Sequence, residues 1–216
     1  MRKSLLLLLL LLLKVRDVVS WHSLLSSSSL KPTTHTRTAL AAANTGAATD
    51  SNIEIRHCRY SELPECANLI MKAFQEEEEE SDDELLLSEM QQAFPRQEPE
   101  RAHYRMLVAV HGDDETVVGF VDVNFRYQKQ KSTRRPYVGN LCVSDSFRRK
   151  GLARALVQAA QQFVVLQSNR PCTTMYVRVE SSNKAARQLY EREGYQRIDN
   201  PDCSNGSMIL LTKELL

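Results

Sequence analysis

The chain has 216 residues, 42% of them hydrophobic, and its five cysteines include no pair at C-x-x-C spacing. That is room for one globular domain able to bury its own core, and it argues against a disulfide framework or a zinc module. The formal charge of +1 hides an asymmetry: residues 1–50 hold six basic and two acidic side chains, so the remainder has 22 basic against 25 acidic. A slightly acidic domain of this kind has no nucleic-acid footprint.

In chain order, a basic start is followed by nine consecutive leucines, Leu5 to Leu13. As helix they would span roughly 14 Å, about half the hydrocarbon core, so they make no stable membrane span. They fit the apolar region of a signal peptide, with Val18-Val19-Ser20 as the cleavage site. Trp21 to Thr49 then contains no acid and many serines and threonines, a transit-peptide composition. Signal-like over 1–20 and transit-like over 21–50, the leader resembles the bipartite plastid leaders of algae with complex plastids. Secretion and a mitochondrial address are the alternatives. The folded domain is then 51–216.

Within that domain, Ile53–Cys58 alternates as a half-buried strand. Ser61 offers a helix N-cap, and Leu63, Ala67, Ile70 and Phe74 follow at helical spacing. The acidic run Glu76–Glu84 is too self-repulsive to pack and reads as a solvated loop, or as a lure for cationic peptides. Leu85–Phe94 is a second helix, stopped by Pro95 and Pro99. Strands follow at Tyr104–Val110, Thr116–Tyr127 and Tyr137–Val143, the last two joined by a basic hairpin loop, Gln128–Arg135. A long amphipathic helix runs from Gly151 to Gln167. Thr173–Val179 is a strand of β-branched and aromatic type. Asn183–Glu193 is a helix stopped by Gly194, and Tyr195–Ile198 and Met208–Leu211 are closing strands. The order β-α-α-β-β-β-α-β-α-β-β describes a mixed α+β fold of about seven strands and four helices, with no internal repeat.

The chemistry concentrates at Leu141-Cys142-Val143-Ser144-Asp145-Ser146-Phe147-Arg148-Arg149-Lys150-Gly151-Leu152-Ala153. A strand, a basic turn and a helix start offer unpaired N–H groups and a positive dipole end to a pyrophosphate. Gly151 admits a close backbone approach, and Arg148, Arg149 and Lys150 add charge. Taken alone, the stretch also fits an ordinary strand-to-helix turn with solvated arginines. Arg148-x-x-Gly151-x-Ala153 resembles the R/Q-x-x-G-x-G/A acetyl-CoA signature of the GNAT superfamily of N-acetyltransferases. Asn183-x-x-Ala186-x-x-Leu189-Tyr190-x-x-x-Gly194-Tyr195 resembles its second signature, one helix and one strand downstream. The likeness covers about residues 53–216, and Tyr137–Val143 with Asn183–Gly194 also resembles the plastid GNAT protein acetyltransferases of plants.

The resemblance implies the GNAT fold and direct acyl transfer from acetyl-CoA to an amine, with no metal. Backbone amides along Leu141, Cys142 and Val143 would hold the acyl end in an oxyanion-hole role. Arg148, Arg149, Lys150, Gly151, Leu152, Ala153 and Arg154 would line the pyrophosphate site, and Asn183 would touch the cofactor arm. Tyr190 would protonate the departing thiolate as general acid; its other reading is a helix-face aromatic in the core. N-terminal acetyltransferases of the superfamily often carry Glu or His five residues before the motif asparagine. Here Arg178 stands there and accepts no proton. Glu180, on the same strand face, is the candidate base, with a plain surface carboxylate as the alternative. Cys142 reads as a buried structural thiol.

A weak base bears on the acceptor. Freeing a lysine amine of pKa ~10.4 at pH ~8 costs about 3 kcal/mol, and an α-amine of pKa ~8 almost nothing. The expected partners are therefore protein N-termini or peptide amines, lysines second, on an enzyme that is a monomer or weak dimer. A small-amine acetyltransferase and a non-catalytic acyl-CoA-binding module are the competing readings.

Overall fold

Period-two runs of β-branched and aromatic residues become strands, and 3.6-period runs become helices, in the expected order. The computed structural model describes residues 52–74, 82–94, 104–128, 133–166, 173–198 and 207–215. The leader over 1–50 lies outside the described residues, as do residues 76–81 of the acidic run.

Among the described residues there are seven strands and four α-helices. They are β1 (Ile53–His57), α1 (Leu63–Phe74), α2 (Asp82–Ala93), β2 (Tyr104–His111), β3 (Thr116–Gln128), β4 (Thr133–Val143), α3 (Leu152–Leu166), β5 (Thr174–Glu180), α4 (Lys184–Arg192), β6 (Gln196–Ile198) and β7 (Met208–Glu214). One sheet holds every strand in the order β1-β2-β3-β4-β5-β7-β6. Every pairing is antiparallel except β4 with β5.

Alternation sorts the core onto two faces. Leu107, Ala109, Val121, Val123, Val138, Met175, Val177 and Val179 form one cluster with Leu152, Leu156, Val157, Ala160 and Phe163 of α3 and Tyr190 of α4. The alternate positions Met106, Val108 and Phe120 are buried on the opposite side, where α1 packs over β3 and β4 with Leu63, Cys66, Ala67 and Ile70 inward. Gly119 lets α3 close on β3, because a Cβ there would stand 2.9 Å from Leu156 Cδ1.

Three local expectations are corrected. Ser61 caps nothing; Tyr60–Glu62 is a 3-10 turn leading straight into α1. The capping is done by Glu62, whose Oε2 accepts the Arg59 N–H at 2.6 Å while Arg56 Nη2 donates to its Oε1 at 2.6 Å. The α2 helix starts at Asp82, inside the acidic run, where the positive end of a helix dipole favours an acid such as Glu84. Both ends of the expected loop Gln128–Arg135 are ladder, with Gln128↔Thr133, Tyr127↔Arg134 and Arg126↔Arg135 in register, while residues 129–132 lie outside the described residues. Once two antiparallel strands are aligned, further pairs add backbone hydrogen bonds whatever the side-chain polarity.

Candidate active site

Strands β4 and β5 pair at only two positions, Tyr137↔Tyr176 and Val138↔Val177, and then part. The cause lies on the other edge of β4. Its register against β3 shifts between Phe120 and Asp122, and Asn140 there adopts φ 49°. Asparagine is one of the few side-chain-bearing residues that tolerate this left-handed region. It is anchored: Asn140 Nδ2 donates to Asp122 Oδ2 at 2.5 Å, and Tyr104 Oη donates to the same oxygen at 2.5 Å. Asp122 is 2% exposed. Desolvation, with the adjacent Asp122 carboxylate, raises the Tyr104 phenol well above its ordinary value, so it remains a donor. None of these three residues was singled out from sequence. The available signal was an acid inside the nearly continuous apolar run Val117–Val123, since a buried acid requires partners.

Parting the strands leaves the end of β4 with backbone groups facing a gap. Ser144 N donates to Val118 O across β3 at 2.9 Å. Alternation then turns the Cys142 N–H toward β3 and those of Val143 and Leu141 into the gap. Of the three predicted amides, two therefore face the gap. The Cys142 thiol is buried, and desolvation pushes it up to about 12, which makes it a poor nucleophile.

Beyond β4 a 3-10 turn, Asp145–Phe147, leads to two left-handed residues, Arg149 at φ 63° and Gly151 at φ 84°, and then to α3. Left-handed residues at a helix start bring successive N–H groups into an anion-binding concavity. Arg148 braces this turn: its Nε donates to Val143 O at 3.1 Å and its Nη1 pairs with Asp145 Oδ1 at 2.9 Å. Arg149 is exposed, and so is Lys150, its ammonium 5.1 Å from the Phe147 ring centroid. Leu152 is buried and Ala153 half-buried behind the N–H groups. Arg154 is engaged elsewhere. Its Nε pairs with Glu193 Oε1 at 2.6 Å, and Gln158 Nε2 holds Oε2 at 3.0 Å, which ties α3 to the end of α4. Asn183 Oδ1 caps α4 by accepting Ala186 N–H at 2.9 Å.

Tyr190 is 4% exposed and meets Tyr195 edge-on at 5.3 Å. Burial first, then Tyr195 and Asp122, raise its phenol. Asp122 lies on the α1 face and Tyr190 on the α3–α4 face, so the two sense each other through the sheet beside the parted strands. Tyr176, Arg178 and Glu180 share the α1 side of β5, alternating with buried Met175, Val177 and Val179. Glu180 is exposed at the strand end, where Ser182 Oγ donates to its Oε2 at 3.3 Å. The Arg178 guanidinium lies 5.8 Å from the Tyr137 ring centroid, and Tyr137 stacks on Tyr176 at 5.4 Å.

The model of the acetyltransferase (GNAT) family matches residues 63–195. GCN5-related N-acetyltransferase 4, chloroplastic, of Arabidopsis thaliana is 32% identical over 74 residues. That match covers 34% of this chain and 24% of the relative, so the chain spans about a quarter of its length. In fold, PH1933 from Pyrococcus horikoshii OT3 superposes with TM-score 0.59 at 19% identity, over 75% of this chain and 98% of its own. Arabidopsis thaliana NAA60 in complex with acetyl-CoA superposes with TM-score 0.54 at 19% identity, with the same coverages.

Proposed function

The chain belongs to the acetyltransferase (GNAT) family, and from that premise we propose that it transfers acetyl from acetyl-CoA to primary amines, chiefly protein N-terminal α-amines, in a plastid. One observation carries the reading. Strands β4 and β5 separate after Val138 and Val177, and the separated end of β4 runs directly into the basic turn at the start of α3. A thioester arm laid in the gap would have its acyl oxygen near the Val143 and Leu141 N–H groups, and its pyrophosphate on the concavity formed from Arg149 to Ala153. The left-handed Arg149 and Gly151 and the free first-turn N–H groups fit that group.

Acetyl-CoA supplies an activated acyl group; this chain's residues position it and move protons. Glu180 takes the proton from the attacking amine, aided by the low pKa of an α-amine. The two β4 amides stabilise the charge developing on the thioester oxygen. Tyr190, held protonated by burial, returns a proton to the departing thiolate. Arg148 and Arg154 brace the site, and Arg149 and Lys150 carry the charge facing the phosphates. The chloroplastic relative and the leader over 1–50 support the plastid, and the low pKa of an α-amine beside a weak base supports N-terminal acceptors.

Mass spectrometry of peptide and small-amine libraries incubated with the protein and acetyl-CoA tests this. The expected products are peptides acetylated at the N-terminus. Faster acetylation of lysine ε-amines than of matched N-termini refutes the acceptor assignment. A thermal shift with acetyl-CoA and no turnover on any amine makes the chain a binding module instead.

A further inference from the structure

Arg178 stands where the fold exposes the acceptor. It is the first residue of β5 beyond the last β4–β5 pair, on the α1 face, with Glu180 next along the same face. Among the described residues no acid pairs with it. Its recorded engagement is the face of Tyr137, which uses none of the five N–H donors of a guanidinium. Its Nε is buried without a hydrogen-bond partner.

A second unpartnered donor lies beside it. Thr212 on β7 is the register partner of Tyr176, and Leu210 the partner of Arg178. Thr212 is thus diagonal to Arg178 on the same face, a spacing of roughly 7–8 Å that long side chains bridge. Its Oγ1 is also buried with no partner. The other arginines with an orphan nitrogen differ. Arg56 pairs with Glu62, Arg187 donates to Ser181 O, and Arg105 lies on the opposite face against Phe163. The contact with the Tyr137 ring leaves the guanidinium its N–H fork, the donor arrangement that a carboxylate takes bidentately. At the other end of the stack, Arg135 lies 5.2 Å from the Tyr176 ring centroid. Two guanidinium groups thus flank the Tyr137–Tyr176 pair.

We propose that Arg178, with Thr212, forms a carboxylate-binding subsite, and that the acceptor is an amine carrying a nearby carboxylate. This rests on the acetyltransferase reading and narrows it. Two sources share the chemistry: a peptide N-terminus that begins with Asp or Glu, and a free amino acid with its α-carboxylate. In either, the amine lies toward Glu180 and the acyl group, and the carboxylate toward Arg178. Two residues of strand separate those side chains by about 7 Å, which suits an amine and a carboxylate a few bonds apart. Arg178 thus selects the acceptor at the position where relatives of the proposed class place a base.

The test uses the full chain with acetyl-CoA and follows thiol release. One arm compares peptides beginning with Glu or Asp against the same peptides beginning with Gln or Asn. The other compares free amino acids with their α-amides. In at least one arm the acidic acceptor should show kcat/KM tenfold or more above its neutral isostere, and that arm identifies the source. Arg178→Gln should bring that ratio to about one, and Arg178→Lys should keep part of it. Thr212→Val should lower it about threefold. An unchanged acetyl-CoA thermal shift in each variant establishes that the fold is intact. Equal turnover of isosteres in both arms, or a ratio that survives Arg178→Gln, overturns the subsite while leaving the acetyltransferase reading standing. No turnover of any amine overturns both.

Discussion

Replacing Asp122 by leucine tests the cluster that shapes the site. Its Oδ2 accepts both Tyr104 Oη and Asn140 Nδ2 at 2.5 Å, and the carboxyl is 2% exposed. Leucine is close in volume and offers no acceptor, so two donors lose their partner with little room for water. A buried donor left unsatisfied costs about 1–3 kcal/mol, which gives about 4 kcal/mol for the pair. That is a large part of the margin of about 5–15 kcal/mol typical of a domain. Urea unfolding followed by circular dichroism would measure the loss. The double variant Asp122→Leu with Tyr104→Phe should recover about 2 kcal/mol, because one orphan is then gone. Freed from its anchor, Asn140 should also leave φ 49° and carry the Leu141 and Val143 N–H groups with it. A misplacement of about 1 Å can cost on the order of 100-fold in rate, so kcat for acetyl transfer should fall further than acetyl-CoA binding does. A leucine variant within about 1 kcal/mol of wild type, or a double variant in which the two losses add, would refute the buried-anchor reasoning.

Gly119→Ala should destabilise the protein by about 2 kcal/mol, because the new Cβ would stand 2.9 Å from Leu156 Cδ1 and 3.3 Å from Ala109 Cβ in a filled core. Differential scanning fluorimetry should show Tm lowered by about 6 °C, recovered in part by shortening Leu156, and an unchanged Tm would contradict the contact. Tyr190→Phe keeps the packing against Tyr195 and should lower kcat by about 10²–10⁴ with little change in KM for acetyl-CoA. Burial raises the wild-type phenol above its ordinary value of ~10, so the protonated, donating form persists as pH rises through 10. A pH–rate profile should therefore show no Tyr190-dependent fall between about pH 8 and 10; a descending limb there that vanishes in Tyr190→Phe would remove the residue from its role.

What was legible in the sequence is what is local in the chain. Arg148 to Ala153 and Asn183 to Tyr195 are short runs in which spacing alone carries the geometry of a helix start and a helix face. The order of strands and helices was legible for the same reason, since period 2 and period 3.6 are short-range patterns. The anchor of the site was not. Tyr104, Asp122 and Asn140 come from three strands, each partner 18 positions from Asp122, and they converge only once β2, β3 and β4 are in register with a bulge. Asn140 read as ordinary strand because nothing next to it announces a left-handed φ.

Charge also depends on the tertiary structure. Arg148 and Arg154 looked equivalent to Arg149 as phosphate ligands. In the fold each also has an acceptor of its own, Asp145 with Val143 O for Arg148 and the distant Glu193 for Arg154. A cation's role is set by which acceptor reaches it first, and that is a tertiary fact. Arg178 shows the converse. In sequence it is the residue that spoils a base position. In the fold it is a cation over the ring of Tyr137 from the neighbouring strand, diagonal to a donor on β7, with no acid paired to it among the described residues. A half-buried arginine whose Nε is shut away without a hydrogen-bond partner is unfavourable unless something binds it. Here the acceptor half of the site therefore has to be read from what the sheet leaves unpaired, where the cofactor half could be read from motifs.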